Sequence, residues 1–112
     1  MADIILPAFI YAYVALIMIA IGIMQYKSKK PTGFYTGETP PKAEQLTDVT
    51  AWNHRHGRMW IFYGIVIIVS FLSGLLIPHE AVSALLPIVI ILGALPVMIL
   101  YHHKLKNKYF KG

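Results

Sequence analysis

The sequence predicts an all-α protein, an integral membrane bundle of three transmembrane helices with its N-terminus outside and its C-terminus cytoplasmic. Three observations carry that expectation. Residues 4–24, 59–77 and 81–100 hold no Asp, Glu, Lys, Arg or His, and each run is long enough, at 1.5 Å per residue, to span a hydrocarbon core of roughly 30 Å. Charged residues make up 13% of a chain that is 57% hydrophobic, so a water-soluble fold would have too little polar surface to cover its exterior. A three-span topology also gathers every Lys and Arg on one side: Lys27, Lys29, Lys30, Lys42, Arg55, Arg58, Lys104, Lys106, Lys108 and Lys111. The positive-inside bias assigns that side to the cytoplasm.

At 112 residues the chain reads as a single membrane domain over 1–112. The first helix is expected over about 4–26. The residues before it lack Lys and Arg and carry Asp3, the wrong sign for a signal-peptide n-region, and the apolar run is too long for an h-region. A retained helix is therefore expected. Ala8, Ala12, Ala15 and Gly22 fall near one stripe of it, and small residues let a neighbouring helix approach closely.

A cytoplasmic loop follows over 27–48. Its "PTGFYTGETPPK" segment, from residue 31, has turn composition. Pro41 suits a first helical position, and Thr47 or Asp48 can cap a new helix starting at Val49. That second helix is expected over 49–77, interrupted by nothing except Gly57. At roughly 43 Å it exceeds what the core needs, so its first turns stand in the interface or the cytoplasm. Ser70 and Gly74 make a small-xxx-small pair, with Gly64 further along. Pro78 ends the helix, and "IPHEA" is short enough to force an antiparallel hairpin with a third helix over about 81–102. Pro96 should kink this helix. A basic tail over 103–112 completes the chain.

The stretch "TAWNHRHGRMW", residues 50–60, concentrates the polar side chains. Membrane depth explains most of them. Trp60, Tyr63, Tyr26 and Tyr101 suit an inner aromatic belt, and Arg55 and Arg58 can snorkel to phosphates. These six are the expected interface anchors, with anionic lipid headgroups as partner. The net charge of +5 and pI of 9.6 follow from this topology rather than from nucleic-acid binding.

Catalytic and metal chemistry find little support. On a helix His54 and His56 diverge by about 200°. One histidine from each helix, with His102 or His103, makes at most a two-histidine pair, enough for haem in principle but short for zinc. No metal or cofactor is expected. Cys is absent, and no carboxylate pair, Ser-His-Asp arrangement or phosphate loop can be assembled, so no enzyme is expected. Glu38, Glu44 and Asp48 suit helix caps or pairs with nearby Lys and Arg. The three runs also lack the ionisable mid-membrane group usual in carriers. A transport role would need an oligomer, with this chain as a small subunit of a transporter or efflux assembly.

"TGFYTG" after the first helix and "TDVTAWNHRHGRMWIFYG" further on resemble the bacterial superfamily that includes the SdpI immunity protein, and small three-span proteins of Firmicutes. In that family a G-[YF]-R-T element follows one helix and a W-x-x-x-[HN] element precedes the next. Gly33, Phe34 and Thr36 match the first, Trp52 and His56 the second, with Gly64 beyond. Tyr35 stands where the family commonly has Arg, a departure that bears on any anion-binding role of that position. The resemblance covers roughly residues 20–77. It implies a membrane protein of immunity or signalling kind. The candidate binding residues are Gly33, Phe34, Thr36, Asp48, Trp52, Asn53 and His56. Loop 31–48 and turns 49–58 would then form a cytoplasmic docking surface for a lipid, a peptide or a membrane partner, with a homo-oligomer left open.

Overall fold

The computed structural model describes residues 2–33 and 40–110, with side chains from residue 4 onward. Three long helices, α1 (Ala2–Lys27), α2 (Val49–Leu75) and α3 (Glu80–Tyr109), are joined by one 3-10 turn at Ala43–Gln45 and short connections. Among the described residues there is no β-strand, only an isolated antiparallel bridge between Leu46 and Phe110. All three helices are long and apolar enough to cross a membrane. The architecture is compatible with a multi-pass membrane protein.

Each boundary has a local cause. The Asp48 carboxylate accepts from the backbone N–H of Ala51 at 3.0 Å and so caps α2. At the far end the chain turns at once into α3, whose cap is His79: its Nδ1 accepts from Val82 N–H at 3.4 Å. Lys27 closes α1, while Lys106 and Lys108 lie in the last turn of α3, where cations favour the helix dipole. The third helix does not stop near residue 102 with a separate tail; it continues to Tyr109. Leu105 and Tyr109 are buried against Leu46 and Trp52, and Thr47 N–H donates to Tyr109 C=O at 2.8 Å. Those contacts reward continuing the helix. α3 also runs unbroken through Pro87 and Pro96.

Packing places α2 between the other two helices. Along α1 the contact is nearly backbone to backbone. A Cβ on Gly57 would lie 2.5 Å from the Gly22 carbonyl oxygen, and one on Gly64 would lie 2.8 Å from that of Ala15. Ala15 is fully buried, whereas Ala12, expected on the same stripe, is exposed. Against α3, Gly74 takes the same part: its missing Cβ leaves room for Ser83 and Pro87. Pro87 has no N–H to give the Ser83 carbonyl, and the Ser83 hydroxyl donates to Gly74 C=O at 2.6 Å. Buried Ser70 returns its hydroxyl to Val66 C=O at 2.6 Å. Polar groups at depth are thus satisfied locally, as an apolar medium demands.

The core is small: Ala15, Met59, Trp60, Tyr63, Ile67 and Met98. Only 6% of the apolar stretch of α1 and 11% of that of α3 is buried inside the protein, against 39% for α2. The outer faces of α1 and α3 therefore need an apolar medium around them. A Gly57→Val substitution should cost about 1–3 kcal/mol through overpacking, read as a lower melting temperature in detergent. Gly93→Ala is the control, since a Cβ there meets nothing within 4 Å. It should leave the melting temperature unchanged or raise it.

Candidate functional site

Four neighbouring residues of α2, Trp52, Asn53, His56 and Gly57, are all buried. Helical spacing divides them between two faces. Asn53 and Gly57 turn to α1 and its exit, whereas Trp52 and His56 turn to α3. Asn53 is 0% exposed and fully matched. Its Oδ1 accepts from the N–H and hydroxyl of Thr32 at 3.0 and 3.1 Å, and its Nδ2 donates to Ser28 C=O and Lys30 C=O at 3.1 and 2.8 Å. Two carbonyls on one side and a backbone N–H on the other allow only one orientation of the amide. Trp52 Nε1 adds a bond to Thr32 C=O at 2.8 Å, and Gln25 Nε2 donates to Gly33 C=O at 3.2 Å. Residues 28–33, which have no regular structure to satisfy their backbone, are tied down by α2 and the last turn of α1.

On the α3 side His56 meets His102, with Nε2 and Nδ1 2.8 Å apart, while His56 Nδ1 lies 2.9 Å from Trp52 C=O. A carbonyl only accepts, so His56 Nδ1 carries a proton. In the neutral ring Nε2 is then the acceptor, and His102 Nδ1 donates to it. The chain of bonds runs from α3 through two imidazoles to the α2 backbone. Trp52 is 1% exposed and encloses the pair: its ring lies 4.2 Å from that of His56 and 5.8 Å from that of His102, with Phe110 and Tyr109 at 5.6 and 6.5 Å.

The pair is joined by a direct hydrogen bond, shorter than the roughly 3.3 Å that two nitrogens span on a tetrahedral zinc at ordinary bond lengths. Among the described residues no group of three His, Cys, Asp or Glu converges. His54 points elsewhere. It stacks on Tyr26 with centroids 3.9 Å apart and 5° between planes, and Arg58 lies 5.8 Å from the centroid of the same ring.

Of the other residues singled out from sequence, Asp48 is the exposed α2 cap and Gly33 is half-buried. Phe34 and Thr36 lie outside the described residues. Among the anchors Arg55 and Arg58 are exposed, and Tyr26 and Tyr101 are half-buried. Trp60 and Tyr63 turn into the helix core, where the Tyr63 hydroxyl donates to Ile91 C=O at 3.1 Å. Thr32 and Leu46 are the participants that sequence reasoning does not place; of the two tail histidines that the sequence offers for a pair, His102 is the one that meets His56. For His102 a signal existed: with Leu105 and Tyr109 it makes a 3–4 spaced stripe through what looked like a tail.

Comparison with family models, with characterised proteins and with solved structures yields no match for this chain.

An Asn53→Ala variant removes the partner of Ser28 C=O and of the Thr32 N–H and hydroxyl, while Lys30 C=O keeps the Ser28 hydroxyl, and should cost about 2–3 kcal/mol. Limited proteolysis should then cut within residues 28–33, where the native chain resists. His102→Ala should leave that segment protected while lowering thermal stability by about 1–3 kcal/mol, since it strands the acceptor on His56.

Proposed function

We propose that this is a small integral plasma-membrane protein with its N-terminus outside, whose cytoplasmic end is a docking surface in a regulatory, signalling or immunity-type role. The observation that carries the reading is the polar framework at the basic end. Asn53, Trp52 and the histidine pair hold the segment after α1, the segment before α2 and the end of α3 in one arrangement. A membrane anchor alone has no need of such a cap. Depth and lipid contact account for the exposed arginines, but not for fully buried hydrogen-bonded side chains gathered at one end.

Because Trp52, Asn53 and His56 are buried, their part is to shape the surface rather than to touch the partner. The exposed contacts come from the rim. A cleft of about 230 Å³ is walled by Pro40, Pro41, Gln45, Lys106 and Phe110, with Trp52 and His102 behind them. Apolar walls beside a lysine suit a peptide segment with an acidic residue. The immunity-type role is what the motif resemblance around Gly33, Trp52 and His56 adds. Orientation rests on the basic residues at one end and the positive-inside bias.

Absence of native Cys makes orientation directly testable. A cysteine placed at Lys104 should react with a membrane-impermeant maleimide only after permeabilisation, and one placed at Glu80 should react in intact cells; the reverse pattern refutes the orientation. A photo-crosslinker at Lys106 should capture a different protein in native membranes. Trp52→Ala and His56→Ala should lose that product while still inserting. Crosslinks only between copies of this chain, together with substrate flux, would favour the reading as a subunit of a transport assembly.

A further inference from the structure

We propose that the groove between α2 and α3 is a binding site for one anionic phospholipid of the leaflet at the basic end, its phosphate held by Arg55 and Arg58. The inference rests on the membrane reading above and adds a specific ligand to it. The groove, about 420 Å³, is lined along α2 by Arg55, Arg58, Met59, Phe62, Tyr63 and Val66 and along α3 by residues of the 94–101 stretch. That volume lies within the range of small-molecule sites. Its floor is buried Met59, Tyr63 and Met98, and its rims are Phe62 and Val97, 67% and 64% exposed. It is open along one side, as a slot for a chain entering laterally from a bilayer must be.

Length and charge choose the occupant. From Arg55 to Val66 the slot runs roughly 16 Å along the helix axis, about half the hydrocarbon thickness of a bilayer. An acyl chain whose headgroup sits at the arginines would fill it and end near the midplane. Both arginines stand at the same end of the groove and are exposed, with the Arg58 guanidinium 5.8 Å from the Tyr26 ring centroid, and no carboxylate lines the groove. Rotation of these exposed side chains about their long stems brings a guanidinium fork to the mouth of the groove, where it matches the oxygens of a phosphate. Lys104 and Lys108 are exposed near the end of α3, so a headgroup with net negative charge is favoured over a zwitterion that brings its own cation. Ala94, small and half-buried, leaves the chain its room.

Native mass spectrometry of the full chain, released from mixed phosphatidylglycerol and phosphatidylcholine nanodiscs, tests this. The native protein should retain one phosphatidylglycerol. Arg55→Gln with Arg58→Gln should reduce the preference about tenfold or more, and Ala94→Trp should abolish retention with both arginines intact. Circular dichroism should show native helicity for each. Equal retention of the two lipids, or retention unchanged by both variants, would overturn the proposal. So would displacement of the lipid by glycerol phosphate, which marks a site for phosphate without a chain, or a lipid-free dimer in which a second copy fills the groove. Failure of the membrane reading itself would show separately, as extraction of the chain from membranes by alkaline carbonate.

Discussion

A buried hydrogen-bonding side chain left without partners costs free energy, and α2 carries two of them, Asn53 and His56, into positions with no exposure. The rest of the basic end is arranged to meet that requirement. Asn53 draws in the exit of α1 through Thr32, Ser28 and Lys30. His56 draws in α3 through His102. Gly57 makes the first possible, because only a residue without a Cβ lets α1 come close enough for the following segment to reach Asn53. Leaving either side chain without its partners would cost more than an ordinary surface contact returns.

The two ends of the molecule consequently differ in kind. At the end with Pro78 and His79, two helices meet through a short turn, with Gly74 against Ser83 and Pro87. Gly74 meets α3 backbone and a proline ring there, and Tyr11 of α1 meets Phe71 with ring centroids 4.8 Å apart. At the basic end side chains from every helix converge with intervening segments, and the long dimension of 52 Å exceeds a hydrocarbon core by roughly 20 Å. The framework gives a chain with little buried apolar area a defined surface at that end, and it leaves Arg55 and Arg58 exposed on α2.

Much of the architecture was legible in the sequence because it is local. A charge-free run of sufficient length is a property of consecutive residues, and so is an Asp48 cap or a turn too short for anything but a hairpin. Trp52 and His56 were also singled out, since depth did not account for them. What could not be read was which partner each would find. His56 and His102 are 46 residues apart, and their meeting depends on the rotation and register of two helices, to which Gly74 and Ile67, more than ten residues along α2 from His56, contribute with Met98. The same dependence turned Trp60 and Tyr63 inward. The continuation of α3 was missed because "HHKLKNKY" reads as a charged tail by composition, while Leu105 and Tyr109 on its inner face decide its structure.

The direct bond between the two imidazoles is the claim on which the framework stands. Nitrogen-15 NMR of the histidine-labelled protein in lipid measures it without altering a residue. The account predicts a protonated Nδ1 on both rings near neutral pH, and a coupling across the hydrogen bond between His102 Nδ1 and His56 Nε2. Two imidazoles with no mutual coupling and with free solvent exchange would contradict it.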